Sequence, residues 1–408
     1  MTRREGVALG VVLLVALAVR VTALFHTFGL SATVARAGNV VLGAALVLPI
    51  FALGRTLGGA RVGLLAAAIA ALYPNFVAFS HYLWTETLYS LLICTGLALL
   101  ASSAARRALW KSLTAGALFG AAALTREVGA VFPLFAACWL LWLERSAWRR
   151  GLLHAGSFVV VVVLVALPWT LYINGRGEAF ALLGRTTGMN LYVGNAAPFV
   201  PEPGAAPVPP EEHFYELGSN LYERERVAAE LAWMAIRERM PAWPFEKLAS
   251  ELPRTFTPTS FAVRRLLVEP RPLPESLDGT WAYRTRWTAL DARPVRIAAA
   301  VTVVGSYVVV AILGAGGLVL AQRRALAALF GLFVASQLLP VVLSFGLSRF
   351  RLPSMALFVV GAASLVVCGR SDWGAASRAR RGAAIVAMGV MVVVIASRWG
   401  AALDPARG

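Results

Sequence analysis

Charged residues are scarce in this sequence: they make up 14% of the 408 residues, whereas 59% are hydrophobic and the mean hydropathy is +0.70. Soluble domains carry about 25% charged residues, so an ordinary soluble fold is excluded. A helix needs roughly 20 apolar residues to cross about 30 Å of hydrocarbon. The long apolar runs therefore predict a helical membrane protein.

Cysteine is also rare. The three cysteines, Cys94, Cys138 and Cys368, each lie within an apolar run and at no spacing typical of metal ligands. Such residues behave as small hydrophobic side chains. The sequence therefore indicates neither a disulfide nor a zinc site.

A continuous basic stripe is missing too, although the formal net charge is +17. The basic residues are almost all arginines, and they form small clusters between the apolar runs. Nucleic-acid binding proteins instead gather their positive charge on one face or along one helix. We expect no nucleic-acid partner.

The apolar runs predict an all-α polytopic protein with about eleven membrane helices. They cover residues 6–25, 38–54, 61–79, 86–104, 112–125, 128–143, 152–174, 294–319, 325–345, 352–368 and 382–398. No small-residue cleavage site follows the first run, so we expect a membrane helix there rather than a signal peptide. The chain divides into helices 1–7 within residues 1–174, an intervening domain over 175–293, and helices 8–11 within residues 294–408.

Arginines collect in alternate short loops, which sets the expected orientation because cytoplasmic loops carry the positive excess. These loops hold Arg3, Arg4, Arg55, Arg61, Arg106, Arg107, Lys111, Arg145, Arg149, Arg150, Arg323, Arg324, Arg370, Arg378, Arg380 and Arg381. The opposite short loops hold only Arg36, Arg126, Arg349 and Arg351. We expect a cytoplasmic N-terminus and an extracytoplasmic segment 175–293.

The segment 175–293 is richer in proline, charge and aromatic residues than the rest of the chain. Residues 219–240 place apolar side chains among Glu and Arg in the pattern of an amphipathic helix, which Pro241 and Pro244 end. A second short helix is expected over 246–252, along the membrane surface. We predict one mixed, mainly helical extracytoplasmic domain.

Three groups of ionisable residues lie at the predicted outer ends of membrane helices, where charge is costly and often functional. Glu86 starts a helix, so its alternative role is to stabilise that helix N-terminus. Arg126 and Glu127 share a tight turn, where a local ion pair is the alternative. Arg349 and Arg351 suit phosphate binding, with snorkelling to lipid headgroups as the alternative.

A fourth group combines amides and aromatic rings. It runs from Pro168 to Gly175 and continues through Asn190, Tyr192 and Asn195. These side chains suit a sugar or a polar headgroup, although an asparagine-rich turn after a helix explains the spacing equally well.

In chain order, five blocks resemble the C-type glycosyltransferases, specifically the bacterial relatives of protein O-mannosyltransferases and lipid A aminoarabinose transferases (glycosyltransferase family 39-like). The blocks are Ala71-Leu72-Tyr73-Pro74 with Thr85-Glu86-Thr87-Leu88, Leu124-Thr125-Arg126, Pro168-Trp169, Asn190-Leu191-Tyr192-Val193-Gly194-Asn195 and Arg349-Phe350-Arg351-Leu352-Pro353. Their order between residues 34 and 368 carries the resemblance.

The resemblance implies an enzyme of the bacterial cytoplasmic (inner) membrane that moves a sugar from a polyprenyl-phosphate carrier to a lipid, glycan or protein acceptor on the outer face. Membrane lipids are further expected partners, and a soluble partner stays open. Glu86 and Glu127 are the implied catalytic carboxylates, and Tyr82 would line the same cavity. Arg126, Arg349 and Arg351 would face the carrier phosphate, while Asn190, Tyr192 and Asn195 complete the candidate substrate-binding residues.

One departure from the family concerns the first outer loop, residues 25–38, where the family carries an Asp that is the usual candidate for the base. Here the loop contains no carboxylate. Glu86, Glu127 or His26 takes that role, or the chain is a weak or inactive relative. No cofactor is certain and no metal ligand is assigned; use of a divalent cation stays open.

Two alternatives to an enzyme remain. The first is a non-catalytic membrane protein that binds polyprenyl-linked sugars, which the first outer loop favours. The second is a transporter, which the sequence disfavours because its charges cluster at one membrane face and it shows no repeated halves.

Overall fold

The computed structural model describes residues 12, 34–82, 84–106, 108–175, 182–184, 186–198, 207–258 and 293–399. Within these ranges the chain is helical, with short connections and no β-strand. The predicted helix over 6–25, apart from Val12, and most of the first outer loop, including His26, lie outside the described residues.

The helices are numbered here in chain order. They are α1 (Val34–Ala45), α2 (Val47–Gly58), α3 (Ala60–Leu72), α4 (Pro74–Phe79), α5 (Glu86–Arg106), α6 (Leu109–Thr125), α7 (Phe132–Leu143), α8 (Trp148–Asn174), α9 (Thr187–Asn195), α10 (Pro210–His213), α11 (Leu221–Glu238), α12 (Trp243–Thr255), α13 (Arg293–Leu320), α14 (Arg324–Leu343), α15 (Leu352–Ala375) and α16 (Arg378–Ala396). Short 3₁₀ helices cover Glu127–Ala130, Arg145–Ala147, Phe214–Glu216 and Ser348–Arg351.

Seven helical stretches of the described residues are long and apolar enough to cross a membrane. They are Arg36–Gly58, Glu86–Ser103, Arg145–Asn174, Ile297–Leu320, Arg324–Leu343, Ser348–Ala375 and Arg378–Ala396. The chain is therefore a multi-pass helical membrane protein, as predicted. The predicted number of about eleven is not reached in this part of the chain, because three further predicted runs give helices of 17 residues or fewer.

Proline explains one of these shorter helices. The run predicted as a single helix over 61–79 is divided at Tyr73, whose backbone is extended with φ −63° and ψ 114°. Pro74 disfavours the helical conformation for the residue before it, while its own fixed φ suits the first position of a new helix. Helix α3 therefore ends at Leu72, and the short α4 begins at Pro74.

Helix α15 is the centre of the bundle. Every residue from Leu352 to Ser364 is buried, so this part of the helix is covered on all sides. It packs against α13, α2, α3 and α5. At its crossing with α13, a Cβ added at Gly317 would collide with the Gly361 carbonyl, and one at Gly361 with the Gly314 carbonyl. Glycines at these positions let the two backbones approach closely, as is common between membrane helices.

Helices α8 and α16 lie at the periphery. Their outward faces expose large apolar side chains, among them Leu164 (59%), Val386 (63%) and Val393 (67%). Exposed apolar surface of this extent is stable only against an apolar solvent. These faces therefore meet lipid.

The arginine-rich loops gather at one end of the bundle. Arg323 donates to the carbonyl of Thr56, the Cys368 thiol lies 3.9 Å from the carbonyl of Gly58, and Arg380 Nε donates to the carbonyl of Val319 at 2.8 Å. Loops that the sequence predicts on one membrane face thus share one end of the structure.

Helices α9 to α12 form a small helical layer at the other end. Tyr192, Phe214, Ala228 and Ala232 make its core. The Glu225 carboxylate accepts hydrogen bonds from the first-turn N–H groups of α9, at 2.8 Å from Gly188 and 3.3 Å from Met189. A carboxylate in this place also offsets the positive end of the helix dipole. The predicted amphipathic helix is α11, which Asn220 caps by accepting from the Glu223 N–H at 2.9 Å.

A buried ion pair joins this layer to the membrane helices. Lys247 and Glu251, each 3% exposed, lie 3.2 Å apart on α12. Lys247 Nζ donates to the carbonyls of Gly194 (2.8 Å) and Ser344 (2.5 Å), and Glu251 accepts from the Gly346 N–H at 2.8 Å. The pair therefore ties α12 and the end of α9 to the chain that leaves α14.

Glu251 gives the fold a dependence on pH. Burial by itself raises the pKa of Glu251, but the Gly346 N–H and the charges of Lys247 and Arg254 outweigh it and hold the pKa below its ordinary value of 4.5. The stabilising contribution is complete above that value and is lost as pH falls through the lower folded-state pKa. We expect wild type to lose more thermal stability than Glu251→Gln between about pH 7 and about pH 4. An equal loss in both proteins would contradict this assignment.

Candidate active site

A cavity of about 860 Å³ lies at the end of the bundle opposite the arginine-rich loops. It is enclosed by the start of α5, the turn after α6, α9, the end of α14 and the segment leading into α15. Its walls carry Glu86, Arg126, Glu127, Asn190 and Arg349. The structure thus brings together five of the nine predicted site residues.

Glu86 is the innermost charged residue of the group. It is the first residue of α5 and only 3% exposed. Its Oε1 lies 2.6 Å from Arg126 Nη1 and 3.8 Å from Arg349 Nε. The contact with Arg126 is an ion pair without the angle of an aligned hydrogen bond. Because a carboxylate is also favoured at a helix N-terminus, stabilisation of α5 and a place in the site are compatible roles.

Aromatic rings position the two arginines. The Arg126 guanidinium lies 5.9 Å from the centre of the Tyr89 ring and 5.4 Å from that of Phe350. The Arg349 guanidinium lies 5.3 Å from Trp84 and 5.5 Å from the same Phe350 ring. Cations are attracted to ring faces at these distances. The two guanidinium groups therefore flank one phenylalanine beside Glu86.

Glu127 follows Arg126 and is half-buried. Its two carboxylate oxygens accept hydrogen bonds from Thr186 Oγ1 at 3.0 Å and Thr187 Oγ1 at 2.9 Å. Gly184 packs so closely that a Cβ there would collide with the carboxylate. Hydroxyl donors thus hold Glu127, while arginine charge holds Glu86.

Tyr82 lies behind the cavity wall. Its carbonyl accepts from Asn39 Nδ2 at 2.6 Å, and its ring stacks on Trp84 with ring centres 5.1 Å apart. Trp84 itself lines the cavity. Tyr82 therefore supports the ring against which Arg349 rests.

Tyr192 and Arg351 also lie outside the cavity lining. The Tyr192 hydroxyl is 2.6 Å from His213 Nδ1, and burial raises the pKa of Tyr192. Arg351 is 4% exposed, donates to the Thr255 carbonyl at 2.9 Å and covers the Tyr307 ring at 3.8 Å. Both side chains connect elements of the fold, and their substrate-binding roles stay predictions.

Asn195 is a junction between α9, α12 and α14. Its Nδ2 donates to the carbonyls of Leu191 and Leu343, both at 2.8 Å. Its Oδ1 accepts from Trp243 Nε1 at 2.8 Å and from Arg239 Nη2 at 3.3 Å. Asn195 is thus a structural connection here, whereas Asn190 and Leu191 of the same block line the cavity.

The sequence reasoning missed several cavity residues. Gln337 lies inside an apolar membrane run, and polar residues at membrane depth are functional candidates. Thr186 and Thr187 orient Glu127, and Trp84 carries Arg349. No local sequence signal marks these three, because their roles depend on partners far away in the chain.

Among the described residues, His, Cys, Asp and Glu side chains form no group of three or more that could hold a metal ion. The cavity supplies two carboxylates, which interact with arginines and threonines respectively. We therefore assign no residues to a divalent cation.

Together, the fold and the cavity define a polytopic helical membrane protein with paired arginines and carboxylates at one end. Residues 12–171 match the family described as dolichyl-phosphate-mannose-protein mannosyltransferase. This match confirms the predicted resemblance to the C-type glycosyltransferases. It covers Glu86, Arg126 and Glu127 of the cavity. No curated protein sequence matches the chain significantly.

Several solved structures are similar to this one. The Archaeoglobus fulgidus oligosaccharyltransferase in complex with zinc and sulfate is 14% identical, covers 91% of this chain and 40% of its own, and gives a TM-score of 0.44. The same organism's AglB with an inhibitory peptide and dolichol-phosphate is 14% identical, and the alignment covers 90% of this chain and 43% of the AglB chain, with a TM-score of 0.38. ArnT from Cupriavidus metallidurans bound to undecaprenyl phosphate is 18% identical, and the alignment covers 88% of this chain and 66% of the ArnT chain, with a TM-score of 0.32. The chain spans about two fifths of the length of the two oligosaccharyltransferase chains.

Proposed function

We propose that this chain is a membrane glycosyltransferase that moves a sugar from a polyprenyl-phosphate carrier to a hydroxyl of a lipid, glycan or protein acceptor. The main support is the cavity, which holds two guanidinium groups and two carboxylates at one end of an apolar helical bundle. The family matched by residues 12–171 is described by a donor of the same chemistry, a lipid-phosphate-linked sugar.

The proposed topology follows the positive-inside rule. The N-terminus and the arginine-rich loops are cytoplasmic, residues 175–293 form a mixed, mainly helical extracytoplasmic domain, and about eleven helices cross the inner membrane of a bacterium. The cavity then opens at the outer face. Polyprenyl-linked sugars in that leaflet reach it from the membrane.

The carrier phosphate binds at Arg349, with Arg126 beside it. Glu86 Oε1 lies 2.6 Å from Arg126 but 3.8 Å from Arg349, and the Arg349 side chain is 38% exposed. Arg349 is therefore the freer of the two cations. Guanidinium groups form strong charge-assisted hydrogen bonds with phosphate oxygens.

Transfer is a displacement at the anomeric carbon of the sugar. Glu127 takes the proton from the acceptor hydroxyl, the acceptor oxygen bonds to the anomeric carbon, and the bond from that carbon to the phosphate oxygen breaks. The phosphate leaves with the electron pair, and the arginines stabilise its charge. Glu127 suits the role of base better than Glu86, because Glu127 is half-buried at the cavity wall, whereas Glu86 is 3% exposed and its Oε1 contacts both arginines.

Arg349→Ala should weaken binding of bare polyprenyl phosphate by about 10- to 100-fold, since a hydrogen bond to a charged group contributes about 1.5–3 kcal/mol. Glu86 keeps its contact with Arg126, so the variant should fold. Binding is measured by quenching of tryptophan fluorescence, because Trp84 and Trp169 line the cavity.

Arg226→Ala is the matched control, because Arg226 makes an exposed ion pair with Glu230 away from the cavity. It should bind the carrier as wild type does. Equal affinities in wild type and Arg349→Ala would contradict the proposed phosphate site.

A non-catalytic protein that binds the same carriers is the second candidate. The absence of a carboxylate in the sequence of residues 25–38 favours it. Such a protein binds polyprenyl-linked sugars but releases no polyprenyl phosphate. Release that depends on Glu127 would exclude this candidate.

A further inference from the structure

Gln337 is a buried amide on the cavity wall. It lies in the membrane helix α14 among apolar neighbours and is 4% exposed. Its Oε1 accepts a hydrogen bond from the Tyr89 hydroxyl at 2.9 Å, whereas its buried Nε2 has no hydrogen-bond partner among the described residues. Both residues line the cavity.

Tyr89 fixes the orientation of this amide. The tyrosine is 1% exposed, and its hydroxyl occupies the carbonyl side of the amide. The Gln337 N–H groups are therefore left for another acceptor. Buried polar groups of folded proteins almost always have partners, because an unpaired donor costs free energy. A ligand oxygen in the cavity would supply the missing acceptor.

The kind of oxygen follows from the neighbouring groups. Arg126, whose guanidinium lies 5.9 Å from the Tyr89 ring, and Arg349 supply charged donors for phosphate. A polyprenyl chain carries no acceptor at all. A neutral amide donor beside a tyrosine and apolar residues such as Val341 suits a hydroxyl oxygen. Sugar hydroxyls are the groups of the donor with this chemistry.

We propose that Gln337 is a specificity residue for the transferred sugar, donating from Nε2 to one of its hydroxyl oxygens while Tyr89 orients the amide. This inference rests on the proposed function. It assigns recognition of the sugar to Gln337 and recognition of the carrier phosphate to the arginines.

Fluorescence titration of the full chain in detergent tests the assignment. The probes are bare polyprenyl phosphate and a set of polyprenyl-phosphate-linked hexoses and pentoses. Wild type should bind one sugar-bearing probe more tightly than the bare carrier. Gln337→Met, of similar length and without donors, should reduce that preference by about tenfold while affinity for the bare carrier stays within about twofold.

Gln322→Met is the matched control, because Gln322 is an exposed glutamine just before the start of α14, outside the cavity lining. It should keep the wild-type preference. Tyr89→Phe is a second test that keeps the amide but removes the donor that orients it, so part of the preference should be lost. This variant decides the matter if Gln337→Met does not fold.

Three results would overturn the assignment. Wild-type preference in folded Gln337→Met would show that the amide does not contact the sugar. An equal loss of affinity for the bare carrier would place the amide on the carrier instead. A wild-type protein that binds no carrier would refute the proposed function itself, and the role of Gln337 with it.

Discussion

Glu127→Gln should lower the rate constant of sugar transfer at least about 100-fold, the lower end of what a general base contributes. Glutamine fills the same volume but takes no proton from the acceptor hydroxyl. One of the two threonine hydroxyls, Thr186 or Thr187, can still donate to its carbonyl oxygen, and the other can accept from its NH2 group, so the local structure is kept. The carrier phosphate is held by arginines, and its affinity should change little.

The measurement is single-turnover transfer from a labelled polyprenyl-phosphate sugar by purified wild type and variant. Glu230→Gln is the matched control, because Glu230 is an exposed glutamate with a side chain 60% accessible to solvent. It should transfer as wild type does. An unchanged rate in Glu127→Gln would move the role of base to Glu86.

Glu86→Gln separates the two carboxylates. Glu86 is proposed to position Arg126 and Arg349 rather than to accept the proton. Its loss should abolish productive transfer but leave an excess positive charge in the cavity, so bare polyprenyl phosphate should bind at least as tightly as to wild type. A variant that transfers normally would contradict a positioning role.

Lys247→Met should cause the largest loss of stability of any variant considered, about 3–5 kcal/mol, as is typical when one partner of a buried ion pair is removed. The substitution leaves the Glu251 carboxylate buried with one cation fewer. It also leaves the carbonyls of Gly194 and Ser344 without their donor. Because Ser344 lines the cavity, the loss should also loosen one side of the site.

Thermal unfolding in detergent measures this effect through the tryptophan fluorescence. Lys111→Met is the matched control, since Lys111 is the other lysine of the chain, is half-buried, and donates to the carbonyl and the hydroxyl of Ser102. It should unfold within a few degrees of wild type. Equal losses in the two variants would contradict the role of Lys247 as the tie between α12 and α14.

Much of the helical architecture could be predicted because membrane helices depend on local composition. Apolar runs located the helices of the described residues to within a few positions for α5, α13 and α14. The division at Tyr73 was missed, although Pro74 is a visible signal for it. The apolar run over 128–143 also overestimated the length of α7, which begins only at Phe132 after a 3₁₀ turn.

Within the candidate site, the ionisable residues at membrane depth were the most predictable from the sequence. Glu86, Arg126, Glu127 and Arg349 stand out because ionisable residues at membrane depth are costly. Arg351 was selected by the same reasoning and Asn195 as an amide suited to a sugar, but the partners that bury them, Tyr307 and Trp243, lie about 40 to 50 residues away in the chain. Sequence does not reveal such pairings, because they depend on how helices pack.

The most direct test of the central claim is a transfer assay in membranes that express the chain. Radiolabelled polyprenyl-phosphate sugars are supplied, and lipid, glycan and protein fractions are extracted and counted. We predict label in one acceptor fraction with wild type and background label with Glu127→Gln at equal expression. No label above background with any donor, from wild-type protein shown to be folded and to bind the carrier, would contradict the enzyme and indicate a binding protein.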